Sequence, residues 1–544
     1  MKTTYIYKKA IHSLFLVLAI FFTVSCEDFL EEQPTTLIDA DYVYTTEEGL
    51  KSGVVSLYKF YRDRYDQGTE DYMGGVVLPS RSDLAFSRSG YTGLMGRYER
   101  GVSPVDLGSQ FVSSLFWKRF YTIANKATDI INAAEQLEDL EPESRDKIIG
   151  EAKFFRALSY FFLYRMYNNI YVSTKTVTVE TAFDVIQDKS SEEEIFALLN
   201  SDLAFAIEHL DWNVTFGRVS KGTAKHIKAK VALWEGNWTE ARNQAVSVIE
   251  DPNSPHSLVS NTADVFKGDR NHSEQLFVIQ SQDNLLGGGG VTMINANFVT
   301  QYFQIPGINS EVSQGGRGFS RVLPNLYLQG LLAADPNDTR DDNTYFRRYY
   351  FYNDVTGIPA GKQVGDTIDI YSPITDLASP SRTYTTFYQR LHPSTLKYTQ
   401  DDDDPNSYLQ RSNIMVYRLA ETYLLAAEAI LRSGSGDPLP YINAVRTRAN
   451  AAPLTSVTLQ DILDENAREL AFEGERWFTL KRFGAETLNF QMRNYAGDGA
   501  FFPNNFGGSR DPRVNWQDFF INWPIFQEDL DLFGPTYPQN IGYN

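Results

Sequence analysis

Charged residues near the C-terminal end of the chain have types and spacings that could support acid–base catalysis. Glu469 and Glu473 are four residues apart, so a helix would carry both on one face. Two neighbouring carboxylates can act as general acid and as base or nucleophile. The same segment also carries Arg468, Glu475, Arg476 and Arg482. Because buried charges persist when they are paired, we expect a buried ion-pair network that locks this helix to the body, and no catalytic residue.

Residues that would bind a metal or a nucleotide do not cluster in the sequence. The histidines beyond the first 25 residues are scattered, and no HExxH motif is present. The acidic run 401–404 could offer oxygen ligands to Ca²⁺, but such a run is more often a solvated loop. The glycine-rich segments 287–290 and 315–318 lack the residues of a P-loop or a dinucleotide-binding loop. We therefore predict no metal and no cofactor.

Aromatic and arginine side chains in two loop-rich blocks, 66–110 and 284–400, suit the binding of sugars. Phe, Tyr and Trp make up 14% of the chain, which leaves rings for surfaces as well as for the core. Rings can stack on the C–H faces of a sugar, and nearby amides and arginines can hydrogen-bond to its hydroxyls. The candidate ligand-binding residues are Tyr91, Arg97, Tyr98, Tyr302, Phe303, Phe319 and Arg321. The alternative for each ring is packing beneath its own loop.

The only cysteine of the chain, Cys26, follows the pattern of an export signal at residues 1–25. Three lysines precede an apolar stretch, 11–22, that is too short to span a bilayer. The small residue before Cys26 resembles a bacterial lipobox, in which the cysteine thiol takes a diacylglycerol, although Thr23 stands where leucine is usual. We predict a lipidated Cys26 at the start of a tether, 26–45. The alternative is a secreted protein with one spare thiol.

Composition excludes several classes of function. The formal net charge is −19, and it becomes more negative when the lysine-bearing signal is removed. Nucleic acids and anionic lipid surfaces are bound through basic patches, so we predict no nucleic-acid partner. No second apolar run approaches the 18 residues of a membrane span. Contact with the membrane would therefore be through the lipid anchor alone.

Helices are the elements that must position these residues. Apolar residues at spacings of three and four predict helices over 47–65, 111–137, 142–168, 191–210, 221–235, 238–250, 415–431, 440–449 and 458–476. The pair 221–235 and 238–250 is joined by Gly236-Asn237 and resembles a tetratricopeptide-type hairpin. A β-like run at 275–280 opens a region with few helical stretches, and 484–544 is predicted to be irregular.

These patterns predict a mainly α fold. Tetratricopeptide-like helical hairpins form a scaffold, and a large loop-rich region with short strands carries the working surface. The predicted organisation is a signal (1–25), a tether (26–45), an N-terminal helical region (46–275) and a C-terminal region (276–544) that includes the loop-rich insertion 284–400.

Seven segments carry a resemblance to a known family and occur in the order that the family shows. They are CEDFL at 26–30, EAKFFRAL at 151–158, GRVSKG at 217–222, YRLAE at 417–421, NAVR at 443–446, ELAFEG at 469–474 with RWF at 476–478, and the ending WPI at 523–525 with QN at 539–540 and GY at 542–543. Together they resemble the SusD/RagB family of Bacteroidetes outer-membrane lipoproteins. Departures from the family pattern are Thr23, Asn522-Trp523 and Ile541, the last in place of a proline.

The resemblance implies a SusD-like fold and a nutrient-binding lipoprotein on the outer face of the outer membrane. Such a protein captures an oligosaccharide and delivers it to a partner TonB-dependent, SusC-like barrel without chemical turnover. The acidic residues that follow Cys26 also resemble a surface-export signal. Three alternatives stay open: a peptide ligand in place of a glycan, a surface glycoside hydrolase, and a helical scaffold that binds only protein.

Overall fold

A computed structural model describes residues 40–65, 74–88, 102–178, 180–181, 184–186, 188–281, 292–341, 344–347, 349–369, 389–401, 403–410, 413–498 and 511–543. The candidates Cys26, Tyr91, Arg97 and Tyr98 lie outside these residues, as does the predicted export signal. In the described part, α-helices predominate and the strands are two to five residues long. The prediction of a mainly α fold is therefore confirmed.

The helices of the described residues are numbered here in chain order. They are α1 Ala40–Thr45, α2 Glu47–Arg62, α3 Gly74–Ser80, α4 Leu107–Val112, α5 Lys118–Gln136, α6 Pro142–Tyr167, α7 Glu192–His209, α8 Lys221–Glu235, α9 Trp238–Glu250, α10 Ile294–Phe298, α11 Leu326–Ala333, α12 Leu419–Ser433, α13 Leu439–Arg448, α14 Leu459–Leu470, α15 Arg476–Phe483, α16 Ala485–Tyr495, α17 Pro512–Asn515 and α18 Gln527–Phe533.

Side-chain caps fix where several helices begin. The Thr46 hydroxyl accepts a hydrogen bond from the Gly49 N–H at 3.0 Å, at the start of α2. Ser191 begins α7 with a capping box completed by Glu194, and α8 begins in the same way at Ser220. These caps satisfy backbone N–H groups that have no partner inside the helix. Gly236 ends α8 in the left-handed region at φ 80°, which glycine adopts without steric cost.

Consecutive helices pack against each other and build the scaffold. Helices α5 to α9 each pack on the next one along the chain, and α9 then packs on α12. Alanines at the α8, α9 and α12 contacts are fully buried, which lets the backbones approach closely. Helix α6 is buried along nearly its whole length from Ile148 onward, as the distribution of its aromatic residues predicts. The tetratricopeptide-like hairpins are thus present.

Short strands connect the scaffold to the loop-rich region. They are β1 Ala85–Ser87, β2 Gln275–Ile279, β3 Val322–Pro324, β4 Phe346–Arg347, β5 Tyr349–Phe351, β6 Thr367–Asp369, β7 Ser394–Thr395 and β8 Ile414–Arg418. They form four antiparallel pairs: β1 with β3, β2 with β8, β4 with β7 and β5 with β6.

The prediction of a helix beginning at residue 415 is wrong, because strand β8 occupies 414–418 and the helix begins at Leu419. The run IMVYR is rich in β-branched and aromatic residues, which favour a strand once a partner strand is available. That partner is β2, far away along the chain.

The predicted helix over 458–476 is interrupted, and a further helix follows it. Helix α14 ends at Leu470, and α15 begins at Arg476 after a turn in which Phe472 has φ 70° and Gly474 has φ 95°. Helix α16 lies in the segment predicted to be irregular. Its buried residues Leu488, Gln491 and Met492 show helical spacing, which the sequence interpretation missed among the surrounding aromatic residues.

One large core cluster contains residues from both predicted regions. It extends from Leu50 in α2 to Tyr543 near the C-terminus and includes Phe154, Phe277 and Trp477. The predicted boundary between residues 275 and 276 therefore does not separate two cores, and the division remains a proposal about sequence organisation. No helix among the described residues has the length and apolar character needed to cross a membrane.

Candidate binding site

Five half-buried side chains of the loop-rich region form a continuous stack, called here the Arg–aromatic stack. Its members, in spatial order, are Phe303, Arg317, Tyr408, Phe319 and Arg321. The Arg317 guanidinium carbon lies 4.9 Å from both the Phe303 and the Tyr408 ring centroids. The rings of Tyr408 and Phe319 are stacked at 4.1 Å with an interplanar angle of 12°. The Arg321 guanidinium carbon lies 4.3 Å from the Phe319 centroid.

Backbone hydrogen bonds hold the segment that carries three of these residues. The N–H groups of Phe319, Ser320 and Arg321 donate to the carbonyl groups of Ala296, Val299 and Asn297 respectively. The Arg88 guanidinium donates to the carbonyl oxygens of Phe319, at 2.9 Å, and of Ser320. The segment then continues into β3, which pairs with β1. Arg317, Phe319 and Arg321 are thus placed by the body of the protein.

Tyr408 reaches the stack from a separate turn. The Asp404 side chain accepts from the Asn406 N–H at 2.9 Å, and the Ser407 N–H donates to the Asp404 carbonyl at 3.0 Å. Gln410 then forms a two-hydrogen-bond bridge with Thr292. The Asn406 carbonyl oxygen accepts from Arg317 Nη1 at 3.3 Å, so the turn also contacts the stack directly.

The inner rings of the stack are covered on their faces. Tyr408 stacks on Phe319 at 4.1 Å, and the Arg321 guanidinium carbon lies 4.3 Å from the Phe319 ring centroid. A guanidinium above a ring uses its own face for that contact and keeps its N–H groups for acceptors at its edge. The stack therefore offers a ligand ring edges, the Tyr408 hydroxyl and arginine N–H donors. This combination suits a polar, acceptor-rich ligand such as a saccharide.

The structure places the four described candidates in two different environments. Phe303, Phe319 and Arg321 are members of the stack. Tyr302 is fully buried beneath it, stacked on Tyr350 at 4.8 Å. The Tyr302 hydroxyl donates to the Glu311 carbonyl and accepts from the Glu311 N–H, and burial raises the pKa of Tyr302. We correct its role to packing, because a ring without exposed surface cannot contact a ligand.

Arg317 and Tyr408 are members of the stack that sequence reasoning missed. The alternate spacing 317, 319 and 321 is a signal that could have included Arg317. Tyr408 carries no local signal, because it follows the acidic run 401–404 and meets Phe319 only in the folded chain.

A cleft of about 370 Å³ lies elsewhere, between α2, β2 and the 216–218 loop. Two of its cationic side chains already have carboxylate partners: Lys59 pairs with Asp63 at 2.7 Å, and Arg218 pairs with Glu151 at 2.5 Å. Its remaining lining is largely apolar, with Val55, Phe216 and Phe277 among the residues. In the stack, by contrast, Arg317 has no carboxylate partner among the described residues. We therefore place the candidate site at the stack.

The charged segment considered for catalysis is a buried ion-pair network, as predicted. Glu469 is fully buried and accepts from Arg418 Nη1 at 2.6 Å, from Arg340 Nη1 at 3.0 Å and from Arg448. The Tyr345 hydroxyl donates to the same carboxylate at 2.9 Å. Although burial opposes ionisation, the surrounding arginines hold the pKa of Glu469 well below its usual range.

The other charged residues of this segment are also paired. Glu473 binds Arg418 and Lys397, and Glu475 binds Arg165 and Lys230. The three arginines bind carboxylates in the same way: Arg468 with Glu465, Arg476 with Asp83 and Arg482 with Glu428. Each of these side chains thus has a structural partner.

The network reaches into the loop-rich region through Arg340 and Lys397. Lys397 Nζ donates to the Glu473 carboxylate and to the Glu469 carbonyl, both at 2.6 Å. Burial lowers the pKa of Lys397 to about 8 although Glu473 opposes the shift. Since Lys397 lies eleven positions before Tyr408, this contact anchors the start of the segment that supplies Tyr408.

The acidic run 401–404 is used partly by its own backbone. Asp403 accepts from the Gln400 N–H at 2.9 Å, and Asp404 accepts from Asn406 as described above. Among the described residues, no group of three or more His, Cys, Asp or Glu side chains is arranged to hold a metal ion.

We expect Gly318→Ala to destabilise the fold. A Cβ atom at position 318 would overlap the Val299 carbonyl group and would lie 2.6 Å from the Thr300 carbonyl oxygen. These are backbone atoms, and the Val299 carbonyl oxygen also accepts a hydrogen bond from the Ser320 N–H. The loop must therefore move to make room for the Cβ atom. The expected loss of unfolding free energy is about 1–3 kcal/mol. Chemical denaturation of the two proteins measures it.

Gly330→Ala is the matched control for this substitution. Gly330 lies in α11, and a Cβ there meets no atom within 4 Å. Alanine in a helix interior is expected to increase stability by about 0.5–1 kcal/mol. Equal stability changes for the two variants would contradict the close backbone approach at Gly318.

Comparison with known proteins assigns the chain to a family. A model of the SusD family matches residues 267–543. The chain belongs to the SusD family. SusD-like protein P25 of Formosa agariphila is 25% identical over 495 residues, which cover 85% of this chain and 86% of that protein. Starch-binding protein SusD of Bacteroides thetaiotaomicron is 45% identical over 87 residues, 16% of each chain.

Solved structures show the same SusD-type fold. A laminarin-binding SusD-like protein gives a TM-score of 0.66 at 21% identity, over 92% of this chain and 100% of that chain. Surface glycan-binding protein A from Bacteroides thetaiotaomicron, in complex with laminarihexaose, gives a TM-score of 0.67 at 20% identity, over 91% and 100%.

Proposed function

We propose that this SusD-family protein captures oligosaccharides at the cell surface and delivers them to a partner TonB-dependent, SusC-like transporter. The observation that carries the proposal is the Arg–aromatic stack, which combines ring edges, a hydroxyl and arginine N–H donors on one surface. Membership of the SusD family and likeness to two proteins whose names include laminarin or glycan binding support it.

The protein is proposed to bind its ligand without cleaving it. Glu469 and Glu473, which suggested acid–base chemistry, are engaged by arginine and lysine side chains in the core. A catalytic acid needs a pKa near the working pH, whereas the pKa of Glu469 is held well below its usual range. Avidity and retention of the captured oligosaccharide at the transporter opening would compensate for a weak affinity of the single binding site.

Titration calorimetry of the purified mature protein with a panel of oligosaccharides and peptides tests the proposal, with each mixture examined for cleavage products. Saturable binding of one glycan class, with the ligand recovered intact, is the expected result. Cleaved ligand would replace the proposal with a surface glycoside hydrolase. Binding of peptides alone would replace the ligand class and keep the family.

The proposed location is the outer face of the outer membrane, with a lipid on Cys26 as the only membrane attachment. Cys26→Ala is expected to remove the acyl modification and to move the protein from the membrane fraction to the soluble fraction. Metabolic labelling with palmitate and cell fractionation measure the two effects. Ser25→Ala keeps a small residue before the cysteine. It is expected to leave both the acyl modification and the membrane association unchanged. A Cys26→Ala protein that remains with the membrane would contradict the anchor.

A further inference from the structure

We infer that the Arg–aromatic stack selects oligosaccharides that carry anionic groups, carboxylate or sulfate, over neutral ones. This inference rests on the proposed function and adds the chemical class of the ligand. The Arg317 guanidinium differs in its surroundings from those of Arg156, Arg418 and Arg476, which have carboxylate partners.

Several buried arginines of the scaffold are paired with carboxylates at short distances. Arg156 binds Asp202 at 2.8 Å, Arg418 binds Glu469 at 2.6 Å, and Arg476 binds Asp83 at 2.7 Å. Arg317 forms no ion pair within 4.0 Å with a carboxylate of the described residues, and its Nη1 donates to the Asn406 carbonyl oxygen at 3.3 Å. A half-buried charge without a counter-charge costs free energy, which a bound anion would recover.

Arg317 is half-buried and its Nε is buried without a hydrogen-bond partner among the described residues, so its Nη groups are the donors left for a ligand. Its guanidinium lies between the Phe303 and Tyr408 rings, so its faces are occupied and its edge carries the remaining N–H groups. Planar guanidinium groups match the oxygens of carboxylate and of tetrahedral oxyanions, and charge-assisted hydrogen bonds are stronger than neutral ones. Arg321, at the far end of the stack, adds a second guanidinium whose Nη1 donates to Asn297.

Acidic side chains close in sequence to the stack have local partners. Asp403 and Asp404 accept backbone N–H groups of their own turn. Glu311 accepts from Asn353 and Ser313, and these hydrogen bonds lower its pKa. On a protein with a formal charge of −19, an anionic saccharide needs a local cation to be retained, and Arg317 supplies one in the stack.

Matched ligand pairs separate charge from ring shape. The first pair is an oligogalacturonide and its methyl ester, which differ in the carboxylate charge. The second pair is a sulfated galactan oligosaccharide and its desulfated form. Binding of the mature protein to each is measured by calorimetry, with laminarihexaose as an additional neutral ligand. Tighter binding of either anionic form, by about tenfold or more, is the expected result. The pair in which the anionic member binds more tightly identifies whether carboxylate or sulfate is recognised.

Arg317→Gln tests whether the charge of this residue is responsible. The variant is expected to lose about tenfold in affinity for the preferred anionic ligand and less than about twofold for its neutral counterpart. Arg317→Lys keeps the charge without the planar group and is expected to recover part of the loss. Arg242→Gln, which removes an arginine charge from α9, is expected to change neither affinity.

Two outcomes would overturn the inference. The first is equal affinity for the charged and neutral members of both pairs, and the second is an Arg317→Gln variant that loses the same affinity for charged and neutral ligands. In either case the proposed function would stand if the protein still binds an oligosaccharide and Tyr408→Ala weakens that binding. Absence of binding to every saccharide would overturn both.

Discussion

Tyr408→Ala is expected to weaken oligosaccharide binding about 30-fold, which corresponds to about 2 kcal/mol. The Tyr408 ring lies between Phe319 and the Arg317 guanidinium, at 4.1 Å and 4.9 Å. Its removal takes away contact surface and a hydroxyl, and it also frees both neighbours to move. Calorimetric titration with the oligosaccharide that binds the wild type measures the loss.

A second variant at this position shows whether the ring or its hydroxyl carries this effect. Tyr408→Phe keeps the stack and is expected to retain most of the affinity. Phe490→Ala is the matched control, because Phe490 is 55% exposed on α16 and its ring contacts Tyr495 edge-on. Wild-type affinity in Tyr408→Ala would remove the stack from the binding site.

Glu469→Gln is expected to cost about 3–5 kcal/mol of unfolding free energy. The substitution keeps the shape of the side chain but leaves Arg340, Arg418 and Arg448 around a neutral amide. All three guanidinium groups are buried, so water cannot replace the lost charge. Chemical denaturation at pH 7 measures the difference between variant and wild type.

The pH dependence of this difference has a definite sign. The pKa of Glu469 in the folded protein is well below its usual range, whereas in the unfolded chain it is about 4.3. Its contribution is therefore fully present above the unfolded pKa and decreases as the pH falls toward the folded pKa. The free-energy difference between wild type and Glu469→Gln is expected to shrink between pH 5 and pH 3.

Glu486→Gln provides the control for both measurements. Glu486 is an exposed residue in the first turn of α16, and its substitution is expected to change stability by less than about 0.5 kcal/mol. A Glu469→Gln variant as stable as Glu486→Gln, or a difference that does not change with pH, would contradict the role of Glu469 as the centre of the network.

Local signals in the sequence predicted several of the long helices. Helices α8 and α9 have the predicted bounds, because Ser220, Gly236 and Asn237 cap them through contacts with near neighbours. Strand β8 was missed because its partner β2 is distant in the chain. The turn between α14 and α15 was missed because Phe472 adopts a positive φ that only its packed surroundings maintain.

The candidate site was predictable by region but not by residue. The sequence singled out Phe303, Phe319 and Arg321 because aromatic and arginine residues in loops suggest a ligand surface, and all three lie in the stack, where their role in binding stays a prediction. Tyr302 has the same residue type and location in sequence, yet it is fully buried. Residue type cannot distinguish an exposed ring from one that packs beneath the same loop, since the difference depends on where Tyr350 and Glu311 lie.

The sequence by itself determined the mainly helical class, the SusD-family membership and the pairing of the charged C-terminal segment. These properties depend on periodicity, capping and motif order, which are local or simply ordered along the chain. Only the tertiary structure decided which arginine meets which carboxylate and which rings form the stack. The physical reason is that Arg317 and Tyr408, like Glu469 and Arg340, become neighbours through long-range packing that leaves no short-range pattern.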